Sequence, residues 1–111
     1  MAAETPKSDL LQGTLDMLIL KVVALGPIHG YAIAQRLQQM SREVLQVQQG
    51  SLYPALHRLE QEGWIAGEWT TDQTRRVKSY TLTPDGRRQL TAEKRQWNRI
   101  VAAVGQVLDS G

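Results

Sequence analysis

The side chains best suited to chemistry in this chain lie together in residues 49–63, where the apolar residues have helical spacing. At about 100° per residue, Leu52, Leu56 and Leu59 share one stripe of this helix. The remaining face and its edge carry hydrogen-bonding side chains and one proline, namely Ser51, Tyr53, Pro54, His57, Arg58 and Gln61. Such donors and acceptors can read base edges or hold phosphates. The alternative is an ordinary amphipathic helix with a solvated face.

Start and stop signals frame this helix. We expect Ser51 to cap its N-terminus by accepting a hydrogen bond from a free backbone N–H. Pro54 then falls in the first turn, where a missing N–H has no consequence. Gly63 can adopt the left-handed conformation that ends many helices. Ser51 and Tyr53 are expected to contact a nucleic-acid backbone, because the dipole favours phosphate at a helix start.

Arg58 has two competing interpretations. Its guanidinium could pair with guanine through two parallel hydrogen bonds in a major groove. It could instead form an ion pair with Glu62, which lies four residues further along the same helix. We favour the contact with DNA and keep the ion pair as the alternative.

A second group of candidates follows Gly63, where helical spacing gives way to strand-forming residues. Residues 64–71 and 77–82 are predicted to form two strands, with a polar turn over residues 72–76. Three cations lie in or beside that turn, at Arg75, Arg76 and Lys78. Long cationic side chains there can reach a neighbouring groove or phosphates. The alternative is a solvated hairpin tip.

Two helices are predicted before residue 49. A first helix, capped by Ser8 or Asp9, runs to about Leu25 and is apolar nearly all round, so it must be buried on more than one side. Another subunit or a long returning helix could supply that cover. After a turn, a second helix spans residues 31–40, and residues 41–48 form a connector with room for one short strand. Two short helices joined in this way, the second polar-faced, indicate a helix-turn-helix.

The chain ends in another helical segment. Thr83 is expected to cap it and Pro84 to occupy its first position, and the helix runs to about Leu108. Its apolar residues form a narrow seam suited to packing helix on helix. A helix that extends beyond a compact domain cannot bury such a seam alone, so we expect a partner chain.

The aromatic residues are assigned by position. Trp64 and Trp69 are expected to pack the sheet against the helices, and Trp97 to lie in the core of a dimer. Trp97 could also form a wall of an apolar ligand cavity. His29 is expected to be a turn residue packed on the first helix rather than a ligand.

Composition excludes several classes of protein. The 111 residues suffice for one domain with an appended helix, and the net charge is only +2, so local clustering of cations matters more than their sum. The absence of cysteine excludes disulfides and thiol catalysis and agrees with a cytoplasmic location. No apolar run is long enough for a membrane span. The two histidines, His29 and His57, lack a neighbouring nucleophile or metal ligand, so we predict no enzyme, no metal and no cofactor.

These elements predict a mainly α fold with a small β-hairpin wing. Residues 9–83 would form a winged helix-turn-helix DNA-binding domain, and residues 84–111 a long C-terminal dimerisation helix. Residues 1–8 are expected to be a disordered lead-in.

Four segments together resemble the PadR family of bacterial winged-helix transcriptional regulators: residues 11–20, 26–31, 50–59 and 80–86. The single long final helix is similar to the short-tailed subfamily. The resemblance implies repression of a palindromic promoter by a homodimer built from the first and last helices. We assign to that interface Leu11, Leu15, Ile19, Val23, Leu90, Trp97, Val101, Val104 and Leu108. It also implies a ligand site for a planar aromatic molecule near Trp97, as in some short-tailed members.

Three functional hypotheses follow. The leading one is a dimeric repressor that binds double-stranded DNA. The second is a winged-helix adaptor that binds other proteins and no DNA, because this fold does not determine function. The third is a sensor that binds a small aromatic ligand through Trp97.

Overall fold

The computed structural model describes the backbone of residues 7–111 and the side chains from residue 13 onward. Residues 1–6 of the expected lead-in and the side chain of Leu11 lie outside the described residues. The elements are α1 (Lys7–Ala24), β1 (Ile28–His29), α2 (Gly30–Met40), α3 (Gln49–Gln61), β2 (Ile65–Asp72), β3 (Arg75–Leu82) and α4 (Pro84–Asp109). The predicted mainly helical fold with a small sheet and a long final helix is confirmed. None of the helices in residues 7–111 is long and apolar enough to cross a membrane.

α1 is central to the core, because it contacts the other three helices and β3. Four of its apolar residues, which point to different sides, are each at most 2% exposed: Ile19, Leu20, Val22 and Val23. The expected burial on several sides is therefore observed, and the protomer's own elements supply it. α1 begins at Lys7, so Ser8 and Asp9 lie inside its first turn and do not precede it as cap residues would.

Burial within the single chain corrects part of the predicted dimer interface. Leu15, Ile19, Val23 and Leu90 are already buried in the single chain, at 7% exposure or less. A side chain covered by its own protomer has almost no surface left to bury against a partner. These four residues therefore belong to the protomer core.

The sheet is antiparallel, with strand order β1-β3-β2. β2 and β3 form the predicted hairpin, hereafter the wing, with Ile65 opposite Leu82 at its base and Asp72 opposite Arg75 at its tip. Both strands reach further than predicted, so the turn is reduced to two residues. Gln73 begins that turn at a φ of 61°, in the left-handed region that such tight connections require.

The third strand lies at a different place from the one predicted. It was expected within residues 41–48, but β1 immediately precedes α2, and Ile28 pairs with Tyr80 of β3. In the connector, Arg42 and Glu43 have φ values of 54° and 69°. This left-handed backbone is incompatible with a strand, so the connector forms turns instead.

α3 begins earlier than predicted. Its cap residue is Gln48, which makes no side-chain cap bond, and Ser51 is the third helical residue. The backbone N–H groups of Ser51 and Leu52 both donate to the Gln48 carbonyl at 3.0 Å, so the chain has turned into a helix before Ser51. Pro54 therefore lies in the second turn, where its missing N–H leaves the carbonyl of Gly50 without its usual helical donor.

The predicted end of α3 and the predicted start of α4 are confirmed, and they are joined to each other. Gly63 has a φ of 80°, and the N–H groups of Gly63 and Trp64 return to carbonyls of the last turn at 3.0 and 3.1 Å, which is a Schellman closure. The Thr83 hydroxyl accepts from the N–H of Gly86 at 2.9 Å and donates to the Gly63 carbonyl at 2.6 Å. One cap side chain thus connects two helices.

Candidate nucleic-acid interface

The two faces of α3 are separated as the sequence predicted. The inner face is at most 1% exposed and consists of Leu52, Ala55, Leu56 and Leu59. The outer face is exposed at Ser51, Tyr53, Pro54, His57 and Gln61. The leucine stripe holds the helix on the core, so the backbone of α3 is rigidly mounted while its polar side chains face solvent.

Arg58 differs from its neighbours, because it is tied to α1. Its Nη2 donates to Oδ1 of Asp16 at 2.7 Å, and the two side chains are 40% and 20% exposed. The ion pair is therefore not the expected one with Glu62. Burial raises the pKa of Asp16 above its ordinary value of 3.8, although the charge and hydrogen bond of Arg58 act in the opposite direction.

Two cations of the wing are available for other partners. Arg75 and Arg76 are exposed, and neither forms an ion pair among the side chains that the structure describes. The Arg75 guanidinium lies 5.2 Å from the ring centre of Tyr31, and that of Arg76 lies 4.9 Å from the ring of Trp69. Stacking on a ring limits the motion of a guanidinium but leaves its N–H edges free for phosphate.

Lys78, the third predicted cation, is not at the tip. It lies opposite Trp69 within the hairpin, and its Nζ donates to Oε1 of Glu60 on α3 at 2.9 Å. The hydrogen bond to Glu60 is the main cause of a raised Lys78 pKa. Lys78 therefore connects the wing to α3.

The tryptophans of the sheet differ from each other. Trp64 is partly buried against the core, as expected. Trp69 is 56% exposed and supports Arg76, so the expectation that it packs the sheet against the helices is wrong. Trp69 shares its face of the hairpin with the buried Ile65 and Tyr80, but it lies nearer the wing tip, where its neighbours on that face are Arg76 and Lys78.

A cleft of about 240 Å³ brings the helix and the wing together. It is lined by Gly30, Tyr31, Tyr53, Trp69, Arg75, Arg76, Val77, Lys78 and Tyr80. Tyr53 of α3 and the wing cations thus border one concave, aromatic and positively charged surface. Burial raises the pKa of Tyr80, which lies in the floor of this cleft.

Tyr31 is the residue of this cleft that sequence reasoning missed. Its hydroxyl donates to Oδ2 of Asp72 at 3.4 Å, which holds the wing tip near the start of α2. His29 stacks on Tyr31, with ring centroids 5.5 Å apart and planes 7° apart. His29 is a residue of β1 opposite Ser79 rather than a turn residue. The local pattern held no signal for the contacts of Tyr31 with the wing, because Asp72 and Arg75 lie more than forty residues away along the chain.

Apolar side chains remain uncovered along α4. Six of them are between 43% and 76% exposed: Trp97, Ile100, Val101, Val104, Val107 and Leu108. Four of these were predicted as interface residues, and they form the part of that prediction that is still available to a partner. No cluster of His, Cys, Asp and Glu with the makings of a metal site occurs in the described part of the chain.

An exposed helix on a helical core, followed by a cationic two-stranded wing, defines the winged helix-turn-helix class of proteins. Comparison with known proteins then identifies the family. Residues 19–92 match the model of the transcriptional regulator PadR-like family. The chain belongs to this family of transcriptional regulators.

Individual relatives agree with this membership. A transcriptional regulator of Mycobacterium tuberculosis is 36% identical over 86 residues, which cover 78% of each chain. The crystal structure of a PadR family transcriptional regulator from Eggerthella lenta superimposes with a TM-score of 0.82 at 32% identity, covering 93% of this chain and 88% of that one. A transcriptional regulator of Clostridium thermocellum gives a TM-score of 0.83 at 26% identity, covering 89% of this chain and 97% of that chain.

Proposed function

We propose that this regulator is a repressor that binds a palindromic promoter site as a homodimer in the bacterial cytoplasm. One observation carries the proposal: Tyr53 at the edge of the exposed α3 face and two cations without ion-pair partners among the described side chains border the same cleft. A helix of this kind fits the major groove, and cations beside it can reach the flanking phosphates.

The side chains divide between positioning and reading. Ser51 and Tyr53, in the first turns of α3, would contact the DNA backbone and set the register of the helix. The residues that follow on the exposed face would meet base edges: Pro54, His57 and Gln61. Arg75 and Arg76 would contact phosphates or the adjacent minor groove. Arg58 and Lys78 already donate to carboxylates of the protein, so we assign neither of them a direct contact with DNA.

The exposed seam of α4 supports the homodimer. A helix of 26 residues is about 39 Å long, and all six exposed large apolar side chains of α4 lie in its C-terminal half. Trp97, Val101, Val104 and Leu108 would pack against the same residues of a second copy, because a two-fold interface uses one patch twice. Such a dimer would place two copies of α3 on successive turns of the major groove, about 34–36 Å apart.

A mobility-shift titration tests the DNA-binding part of this function. The probe is duplex DNA from upstream of the protein's own coding sequence, compared with a shuffled duplex of equal length and composition. We expect saturable binding to the upstream duplex that weakens steeply with salt. The absence of salt-sensitive binding to any duplex would favour the alternative, a winged-helix adaptor that binds protein.

Release by a small aromatic ligand is a separate part of the proposal. Trp97 is 43% exposed on the α4 seam, so a planar aromatic molecule held between two copies would contact its indole. Trp fluorescence screened against planar aromatic compounds tests it. Quenching that disappears in Trp97→Phe supports the site, and quenching that persists in that variant places the ligand elsewhere.

A further inference from the structure

We propose that Asp16 and Glu60 are positioning residues, which hold α3 at a fixed roll angle between α1 and the wing. The proposal rests on the DNA-binding function proposed above and concerns how α3 presents its face. It assigns Arg58 to bracing the helix rather than to reading a base.

The geometry of the two ion pairs around α3 is the first ground. Leu59 is the buried centre of the helix face, at 1% exposure. Arg58 and Glu60, its two neighbours in sequence, leave the helix about 100° to either side of it. Arg58 is bonded to Asp16 of α1 at 2.7 Å, and Glu60 accepts from Lys78 of β3 at 2.9 Å. Rotation of α3 about its axis in either direction must stretch one of these pairs.

A glycine in β2 makes room for the second pair. A Cβ at position 67 would lie 2.4 Å from Cε of Lys78 and 3.1 Å from Oε2 of Glu60. The backbone of Gly67 is not in the left-handed region, so its conformation does not require glycine. A Cβ at position 67 would displace the Lys78 side chain, which passes over Gly67 on the way to α3.

The energetics of Asp16 indicate a role other than stability. Burial of its carboxylate outweighs the attraction of Arg58, as the raised pKa of Asp16 shows. An ion pair that does not compensate its own desolvation is a weak source of folding free energy. It can still hold two elements in register, because both partners lose favourable contacts when α3 moves.

The test measures operator affinity, shuffled-duplex affinity and melting temperature for Asp16→Asn and Glu60→Gln in the full-length protein. Each substitution removes a negative charge, so general electrostatics must raise affinity for every duplex. If the two ion pairs position α3, each substitution should instead lower operator affinity by about tenfold, which is comparable to one mismatched base pair. Affinity for the shuffled duplex should stay unchanged or rise. Asp85→Asn is the matched control, because it removes one negative charge from an exposed ion pair on α4 with Arg88.

A charge swap separates bracing from base reading. In Asp16→Arg combined with Arg58→Asp, a bracing pair is rebuilt with reversed polarity. We expect the ratio of operator to shuffled-duplex affinity to exceed that of Arg58→Asp alone by at least about fivefold. If this ratio in the double variant does not exceed that of the single variant, Arg58 contacts DNA directly and its assignment as a positioning residue is wrong.

Gly67→Ala provides an independent check on the Glu60 pair without altering charge. We expect it to lower the ratio of operator to shuffled-duplex affinity as Glu60→Gln does, with both proteins folded at the assay temperature. An unchanged ratio in both variants would mean that the ion pair between Glu60 and Lys78 does not position α3. A wild-type protein that binds no duplex specifically would instead overturn the proposed function itself.

Discussion

Removing the two free wing cations gives the sharpest test of the DNA interface. The change is Arg75→Ala combined with Arg76→Ala. Both guanidiniums are exposed, and within the described side chains neither has a carboxylate partner whose release would offset a contact with phosphate. Their loss should therefore appear almost entirely in the counterion-dependent part of binding.

The magnitude follows from the number of phosphates neutralised. Each phosphate contact on B-DNA contributes about 0.9 to the slope of log affinity against log salt concentration. Two contacts per protomer become four in a homodimer, so the slope should fall by about 3.6. Between 50 and 200 mM salt, the wild type should consequently lose about 150-fold more affinity than the variant.

The assay is a salt series of operator titrations, read by fluorescence anisotropy. The matched control is Arg87→Ala with Arg88→Ala, which removes the same charge near the start of α4. Those residues follow the base of the wing, and β3 spans eight residues or about 23 Å between base and tip. A slope that falls by less than about one in the wing variant, or equally in the control, would refute the assignment of Arg75 and Arg76 to phosphates.

Three further predictions concern stability, assembly and pH. Gly86→Ala should destabilise the fold by about 1–3 kcal/mol in thermal unfolding, because a Cβ there would lie 1.9 Å from the carbonyl oxygen of Trp64. Val104→Glu should convert the proposed dimer to monomer in sedimentation, weakening association at least about a hundredfold, because it places like charges in the apolar seam. Asp16→Asn should gain stability relative to wild type as the pH rises from about 3 to 7 in denaturant titrations. The raised pKa means that the folded state binds this proton more tightly than the unfolded state does. The stabilising contribution of Asp16 to folding is therefore present below its ordinary pKa of 3.8 and is lost as the pH rises through its pKa in the folded state.

Each of these has a specific counter-result. Gly105→Ala, where a Cβ meets nothing within 4 Å, should be neutral or slightly stabilising, and equal destabilisation at both glycines would contradict the packing argument. Gln106→Glu adds the same charge as Val104→Glu on another side of α4, so dissociation by both would point away from the seam. A constant stability difference between wild type and Asp16→Asn across pH would mean that Asp16 does not titrate with folding.

Local features of the fold could be predicted because they depend on neighbouring residues. The leucine stripe of α3, the closure at Gly63 and the cap at Thr83 each involve residues within seven positions of one another. The motif segments that resemble the PadR family are equally local. The predicted start of α3 was wrong despite a good cap residue. The backbone N–H groups of Ser51 and Leu52 donate to the Gln48 carbonyl, so Gln48 is the cap residue and Ser51 lies inside the helix.

What only the tertiary structure decided is which side chains are already engaged. Arg58 and Lys78 look like free cations in the sequence, yet their partners lie 42 and 18 residues away on other elements. Leu15, Ile19 and Val23 of α1 look like interface residues in the sequence, but their own protomer already buries them. Periodicity reports which face of a helix is apolar and does not report what covers it, because burial depends on how distant segments pack. The amino-acid order therefore determined the polar face of α3, while packing determined which of its side chains remain without a partner inside the protomer.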